Sequence, residues 1–330
     1  MGDQHMTARA KSAALGLALL ASVCFGSSGP FAKALIHDGF TPLQAVWLRV
    51  AGAALVLVPV TLALRGVSWF HAARRDGGLP LLVLFGLTGV AGCQAFYFIA
   101  AARLPVGVAI LLEFTGPLLV VAWIRFVRRA PVARPAVTGV IVALAGVACV
   151  VQVWTGLRLD GIGLLAGLGA AACQAAYFLI AKRMTNAETD PLVLTGAGFV
   201  VGAAALTALT APWAIPWRLL ATDVSLAGRP TPAWLVAAWI IVVSTVIAYV
   251  TSALVVQRLP APVTAAVAYP EVAAAAVFAW LALGERLTTV QIAGGLIVLV
   301  GAFIAQRAVA AARPVAVIAD DPAPAPAPAR

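Results

Sequence analysis

Charge is what this chain has least of. Only 10% of its 330 residues are Asp, Glu, Lys or Arg, against 63% hydrophobic. Its mean hydropathy is +1.02, whereas a soluble domain carries roughly a quarter of its residues charged. A water-soluble globule is excluded. Histidine is nearly missing as well: His5, His37 and His71 fall in the tail or in loops. The string GSSG at Gly26 to Gly29 fits a GxSG intramembrane-protease pattern, but no helix offers a histidine base to activate its serine. Cys24, Cys93, Cys149 and Cys173 lack metal-ligand spacing and lie in apolar segments, where they behave as small buried residues. No HExxH, aspartate-rich prenyl-diphosphate motif or Walker loop occurs. No metal, no cofactor, no ATP hydrolysis and no enzymatic activity are therefore expected.

The apolar residues come in runs of about twenty, the length a helix needs to cross roughly 30 Å of hydrocarbon. No strand-like alternation persists, so a barrel is excluded. The expected fold is all-α and integral to the membrane. Ten spans are drawn over 12–36, 42–64, 79–101, 105–126, 135–154, 161–183, 192–211, 233–257, 260–283 and 288–306. Residues 1–11 form a cytoplasmic tail, 12–154 a first five-helix unit, 155–306 a second, and 307–330 a disordered Pro/Ala-rich tail. The first apolar segment follows Arg9 and Lys11, is too long for a signal core and is expected to remain as a span.

A net charge of +10 suggests nucleic acid only at first sight. The positive residues line loop edges, such as Arg65 to Arg75, Arg125 to Arg134 and Lys182–Arg183, and form no folded basic patch. They set orientation instead. With both termini cytoplasmic, about fifteen of the 22 Lys and Arg lie inside and about seven outside. The one sizeable polar connection, Pro212 to Pro232, has Trp213, Trp217 and Trp234 beside it, as an interfacial belt would.

The two halves repeat one another. Ala101 to Trp123 (AARLPVGVAILLEFTGPLLVVAW) is answered by Val256 to Trp280 about 155 residues later, with Arg103, Leu104 and Pro105 falling on Arg258, Leu259 and Pro260. Cys24 to Lys33 lines up with Cys173 to Lys182, and Gly139 to Val147 with Gly294 to Ala302. Five spans in each copy force the second to insert in the opposite sense, an inverted repeat of the kind that builds many secondary transporters. The functional centre is then expected between the halves.

Charges well inside the spans are few: Lys33, Arg49, Glu113 and Glu271. Each costs a few kcal/mol in lipid unless it faces a cavity or a partner, so each is a functional candidate by default. The competing accounts are a structural ion pair of a carboxylate with Arg49 or Lys33, and a protonated carboxyl satisfied by a helix kink. Pro117 follows Glu113 by four residues and Pro270 immediately precedes Glu271. A proline removes a donor and frees a carbonyl one turn earlier, beside each acid. Gln94 with Tyr97 (CQAFYF) and Gln174 with Tyr177 (CQAAYF) are three apart, each pair on one helical face. Tyr249 and Ser252 repeat that spacing, and Ser27, Ser28 and Pro30 make a further polar segment. These groups either line a polar cavity or bond neighbouring helices.

Leu111 to Val120 (LLEFTGPLLV), Gln257 to Val263 (QRLPAPV), Tyr269 to Thr288 (YPEVAAAAVFAWLALGERLT) and Gly294 to Ile304 resemble the EamA-type branch of the drug/metabolite transporter superfamily. The likeness spans residues 12–306, and the span 4 string is similar to that of bacterial threonine/homoserine exporters. The resemblance implies ten helices as two inverted five-helix repeats, in a bacterial cytoplasmic membrane, exporting small metabolites. It also marks Glu285, the glutamate of GERLT, as a family position suited to capping helix ends. Ala130 and Pro131 occupy the corresponding region of the first half. Such exporters commonly carry a glutamate before the span 9 proline. Here Tyr269 precedes Pro270 and Glu271 follows it, and each residue turns a helical side chain by about 100°.

The expected protein is a secondary transporter exporting amino acids or related amphipathic compounds by alternating access, with protons as the candidate coupling ion. Substrate would be held between spans 1, 3, 4, 6, 8 and 9 by Glu113, Gln94, Tyr97, Gln174, Tyr177, Tyr249 and Ser28. Glu113, Glu271, Pro117, Pro270, Lys33 and Arg49 are the candidates for coupling or gating. The alternatives are an integral-membrane enzyme, a lipid-handling scaffold without vectorial transport, and a facilitator without proton coupling.

Overall fold

The computed structural model describes residues 8–66, 78–152, 154, 160–185, 190–258 and 268–311. Both tails, the start of the ninth span (259–267) and most of the loops 67–77 and 153–159 lie outside the described residues.

Ten helical spans follow one another: α1 (Ala8–His37), α2 (Pro42–Arg65), α3 (Gly78–Arg103), α4 (Val106–Val127), α5 (Arg134–Val151), α6 (Gly161–Thr185), α7 (Pro191–Thr210), α8 (Ala233–Ile241 continuing to Arg258), α9 (Pro270–Leu283) and α10 (Thr289–Ala311). Among the described residues, nine are long and apolar enough to cross a membrane, and Pro270–Leu283 is a shorter apolar helix. Their outer faces stay apolar. Leu55 is 79% exposed and Leu165 71%, tolerable only where the solvent is lipid.

Local sequence explains the ends. Thr41 caps α2 by accepting from Gln44 N at 3.2 Å while Gln44 Oε1 accepts from Thr41 N at 2.9 Å, a reciprocal capping box. Thr288 and Gln291 repeat it on α10 at 3.2 and 3.0 Å. Asp190 caps α7 through Leu192 N at 2.8 Å, and Pro191 stands where a helix needs no donor. At the start of α6, Asp160 accepts from Gly163 N at 2.7 Å and pairs with Arg103 at 3.2 Å. Those two partners, the amide first, hold its carboxyl below the usual range.

The inverted repeat is visible in one interface. Where α5 crosses α10, a Cβ on Gly146 would stand 2.6 Å from Val298 N and 2.7 Å from Gly294 O, and one on Gly139 2.7 Å from Gly301 O. Residue numbers rise along one helix as they fall along the other, so these equivalent helices of the two halves run antiparallel. Only glycine permits such backbone contact. Gly146→Leu is expected to push α5 from α10 and cost about 1–3 kcal/mol, seen as a lower thermal midpoint in detergent. An unchanged midpoint would contradict this packing.

Between α7 and α8 the sequence left only a polar connection. It holds two 3-10 turns and a hairpin of β1 (Asp223–Leu226) and β2 (Arg229–Pro232), paired antiparallel from Asp223↔Pro232 to Leu226↔Arg229. Ala227 and Gly228 both have positive φ, as a tight two-residue turn requires. Ala227 N donates to Ala282 O at 2.7 Å, and Thr222 Oγ1 to Asp38 Oδ2 at 2.9 Å. The hairpin thus lies across the ends of α1 and α9. The start of α1 and the end of α10 lie at the opposite end of the bundle.

Candidate functional site

One helix that the sequence drew as continuous, α4, is broken within its span. α4 stops at Glu113, turns through Phe114 and Thr115, and restarts at Gly116. Pro117 sits in the first turn of the second half, where its missing donor costs nothing. The described part of α9 begins the same way, with a turn at Ala268–Tyr269 followed by Pro270 and Glu271. The two turns are repeat equivalents, about 154 residues apart. Glu113 ends one helix segment and Glu271 begins another.

α3 and α8 each widen to a π turn, at Gly86–Gly92 and Val242–Ile247, again about 155 residues apart. Such turns free backbone groups and re-aim the side chains after them. The side chains re-aimed are Gln94 and Tyr249, and Gln94 Nε2 donates to Tyr249 Oη at 3.2 Å across the repeat boundary.

Around that bond lies a cavity of about 380 Å³, inside the size range of small-molecule sites. α1 contributes Phe25 and Ser28, α3 Cys93, Gln94 and Tyr97, α4 Glu113, α6 Gln174 and Tyr177, α8 Tyr249 and Ser252, and α9 Glu271. Arg49 of α2 and Pro191, Leu194 and Thr195 of α7 complete the wall. Its lining runs to the start of α7 and to Val256 in the last turn of α8, so it opens toward the end where α1 begins and α10 ends. All seven side chains expected to bind substrate stand in this one space. Among the candidates for coupling or gating, Arg49 and Glu271 join them, while Lys33, Pro117 and Pro270 do not.

Glu113 accepts from Cys93 Sγ at 3.3 Å and from Gln174 Nε2 at 3.4 Å. Gly116 permits the second contact, because a Cβ there would meet Gln174 Oε1 at 2.5 Å. Among the described residues, neither Glu113 nor Glu271 forms an ion pair within 4 Å. The structural pairing of a carboxylate with Lys33 or Arg49 is therefore absent there. Gln94 Oε1 and Tyr97 Oη are buried with no hydrogen-bond partner among the described residues. Buried polar atoms are rarely left so unless a ligand or water completes them. Glu271 reaches the cavity despite standing two residues beyond the family's usual place. The backbone there is a turn, so the offset is not a rigid rotation of about 200°. Tyr269, in the position before the proline, instead bonds Gln306 Oε1 at 2.9 Å.

Lys33 is spent elsewhere. Its Nζ lies 2.6 Å from Glu285 Oε1 and donates to Leu104 O at 2.7 Å, while Glu285 Oε2 accepts from Val106 N at 2.8 Å. Gly284 at φ +69 ends α9 and lets Glu285 swing across to the uncapped start of α4. The cluster ties α1, α4 and α9 together at the hairpin end, so the cavity is closed there. In the GSSG string Gly26 and Ser27 serve packing, while Ser28 lines the cavity. A Cβ on Gly26 would stand 2.7 Å from Glu271 O, and Ser27 shares a 2.6 Å hydrogen bond with Ser244.

Cys93 is a correction. As a small apolar residue it had no assigned role, yet it bonds the cavity carboxylate. Its place directly before Gln94, on a helix face already marked as polar, was the available signal. Thr195 and the rest of the α7 wall had none, since α7 is apolar all round.

The profile of the EamA-like transporter family matches residues 12–152 and again 161–306. The threonine/homoserine exporter RhtA of Salmonella typhimurium (strain SL1344) is 30% identical over 251 residues, 74% of this chain and 75% of that one. RhtA of Escherichia coli (strain K12) is 28% identical over the same length and shares. A solved crystal structure, 22% identical, covers 90% of this chain and 97% of its own with a TM-score of 0.57. At that identity it speaks for the fold alone.

Proposed function

The chain belongs to the EamA-like transporter family, and from that premise we propose that it exports small amino-bearing metabolites across a bacterial cytoplasmic membrane by alternating access. The observation that carries the proposal is the cavity between the inverted halves, where Glu113 ends a broken helix without an ion-pair partner. In this reading the substrate amine or a coupling proton neutralises Glu113, and Glu271 serves the other of the two. Gln94, Tyr97, Gln174, Tyr177, Tyr249 and Ser28 orient the substrate by hydrogen bonds. That relatives are named exporters supports transport over catalysis or a lipid scaffold.

The hairpin end, sealed by Lys33 and Glu285, would face outward, and the open end with both termini the cytoplasm. Two half-bundles of opposite insertion can exchange those states by rocking about the cavity.

The test is counterflow with purified protein in liposomes preloaded with an unlabelled amino acid. Transient accumulation of labelled amino acid is expected, and none in empty liposomes. Absence of counterflow for every amino acid tried would overturn the proposal. Under an imposed pH gradient, a protonophore should abolish concentrative uptake. Insensitivity to it would favour a facilitator.

A further inference from the structure

Among the described residues the cavity carries one cation. Arg49 of α2 is 4% exposed and lines the wall. Its guanidinium is aimed by three contacts: Nε donates to Thr245 Oγ1 at 2.9 Å, Nη2 to Ser244 O at 3.4 Å, and the group stands 5.5 Å over the Phe98 ring. Thr245 and Ser244 belong to the π turn of α8, which supplies the loosened backbone that receives them. So held, the guanidinium lies more than 4 Å from either cavity carboxylate. Opposite charges fixed in one cavity but kept apart leave room between them for a molecule that carries both.

We propose that Arg49 binds the carboxylate of the transported molecule while Glu113 receives its ammonium group, so that the site selects free amino acids over amines and carboxyl-blocked analogues. The inference rests on the transport reading above and names its substrate class. A planar guanidinium matches a carboxylate through two parallel bonds, which a lysine cannot reproduce. The pseudo-symmetric second half offers no counterpart: at the offset that aligns Cys24 to Lys33 with Cys173 to Lys182, Arg49 falls on Gly198. The two ends of the cavity are thus chemically distinct, and a substrate enters in one orientation.

Counterflow with L-threonine, L-leucine and L-phenylalanine, each beside its carboxamide, tests this in wild type, Arg49→Gln and Arg49→Lys. The wild type should prefer at least one free acid over its amide by tenfold or more. Arg49→Gln should lower transport of that acid by at least tenfold and of its amide by less than twofold. Arg49→Lys should retain part of the preference, and it stands in if the glutamine variant does not fold. A merely structural Arg49 would depress acid and amide alike, which overturns the proposal, as does a wild type that takes amides as readily as acids. In the latter case transport itself stands. A wild type that moves none of the six compounds sinks the transport reading and this inference with it.

Discussion

Glu113→Gln is expected to lower amino-acid counterflow by at least tenfold and to remove its dependence on pH, with the fold intact. Glutamine keeps the side-chain length and an oxygen that can still accept from Cys93 and face Gln174, so the broken helix has no reason to rearrange. What goes is the negative charge. A tenfold loss corresponds to about 1.4 kcal/mol, modest against the roughly 2.5–3.5 kcal/mol that a charge costs at the membrane centre without compensation. An ammonium group in the cavity would supply that compensation. Unaltered transport with an unaltered pH profile would remove Glu113 from the mechanism.

Glu285→Ala is expected to have the second largest effect, this time on the resting conformation. Lys33 would keep only the Leu104 carbonyl, and the Val106 amide would lose its cap. Leaving one member of a buried pair alone costs about 3–5 kcal/mol. The Glu285 side chain is 20% exposed, so water recovers part of that and a figure near 2 kcal/mol is expected. Lys33→Met should cost less, because Glu285 stays bonded to Val106 and partly wet. A shift of about 2 kcal/mol moves a two-state population by roughly thirtyfold, enough to open the hairpin end. Equal stability of Glu285→Ala and wild type in a chemical unfolding series would show that the cluster seals nothing.

The seal is one-sided by sequence. Lys182 is the repeat partner of Lys33, but Ala130 and Pro131 stand where a second Glu285 would be needed. The conformation described, open at the termini and closed at the hairpin, is the one this asymmetry favours.

Much of this was legible in the sequence for plain reasons. A helix must be about twenty residues long to cross hydrocarbon, so the spans announce themselves, and the odd count per copy implies inversion. Polar side chains inside such spans are costly, so Glu113, Gln94, Tyr97, Gln174 and Tyr249 stood out before any coordinates. Other features depend on geometry that residue types do not encode. The π turns at Gly86–Gly92 and Val242–Ile247 lie in ordinary apolar sequence, with only glycines to hint at the first. The pairing of Lys33 with Glu285 joins residues far apart in the chain, so neither one announces its partner. Gly139, Gly146, Gly294 and Gly301 lie in the repeated segments of α5 and α10, yet their role in bringing the two helices together depends on the crossing itself.

Whether the space between the halves is the wet path of a substrate can be tested at Ser252, a half-buried cavity residue on α8. A single cysteine placed there, with Cys24, Cys93, Cys149 and Cys173 replaced, is exposed to a membrane-impermeant maleimide in vesicles of known sidedness. Labelling is expected from the side that carries the termini, and a transported amino acid should slow it. No labelling from either side, or labelling indifferent to every transported amino acid, would contradict a substrate cavity between the repeats.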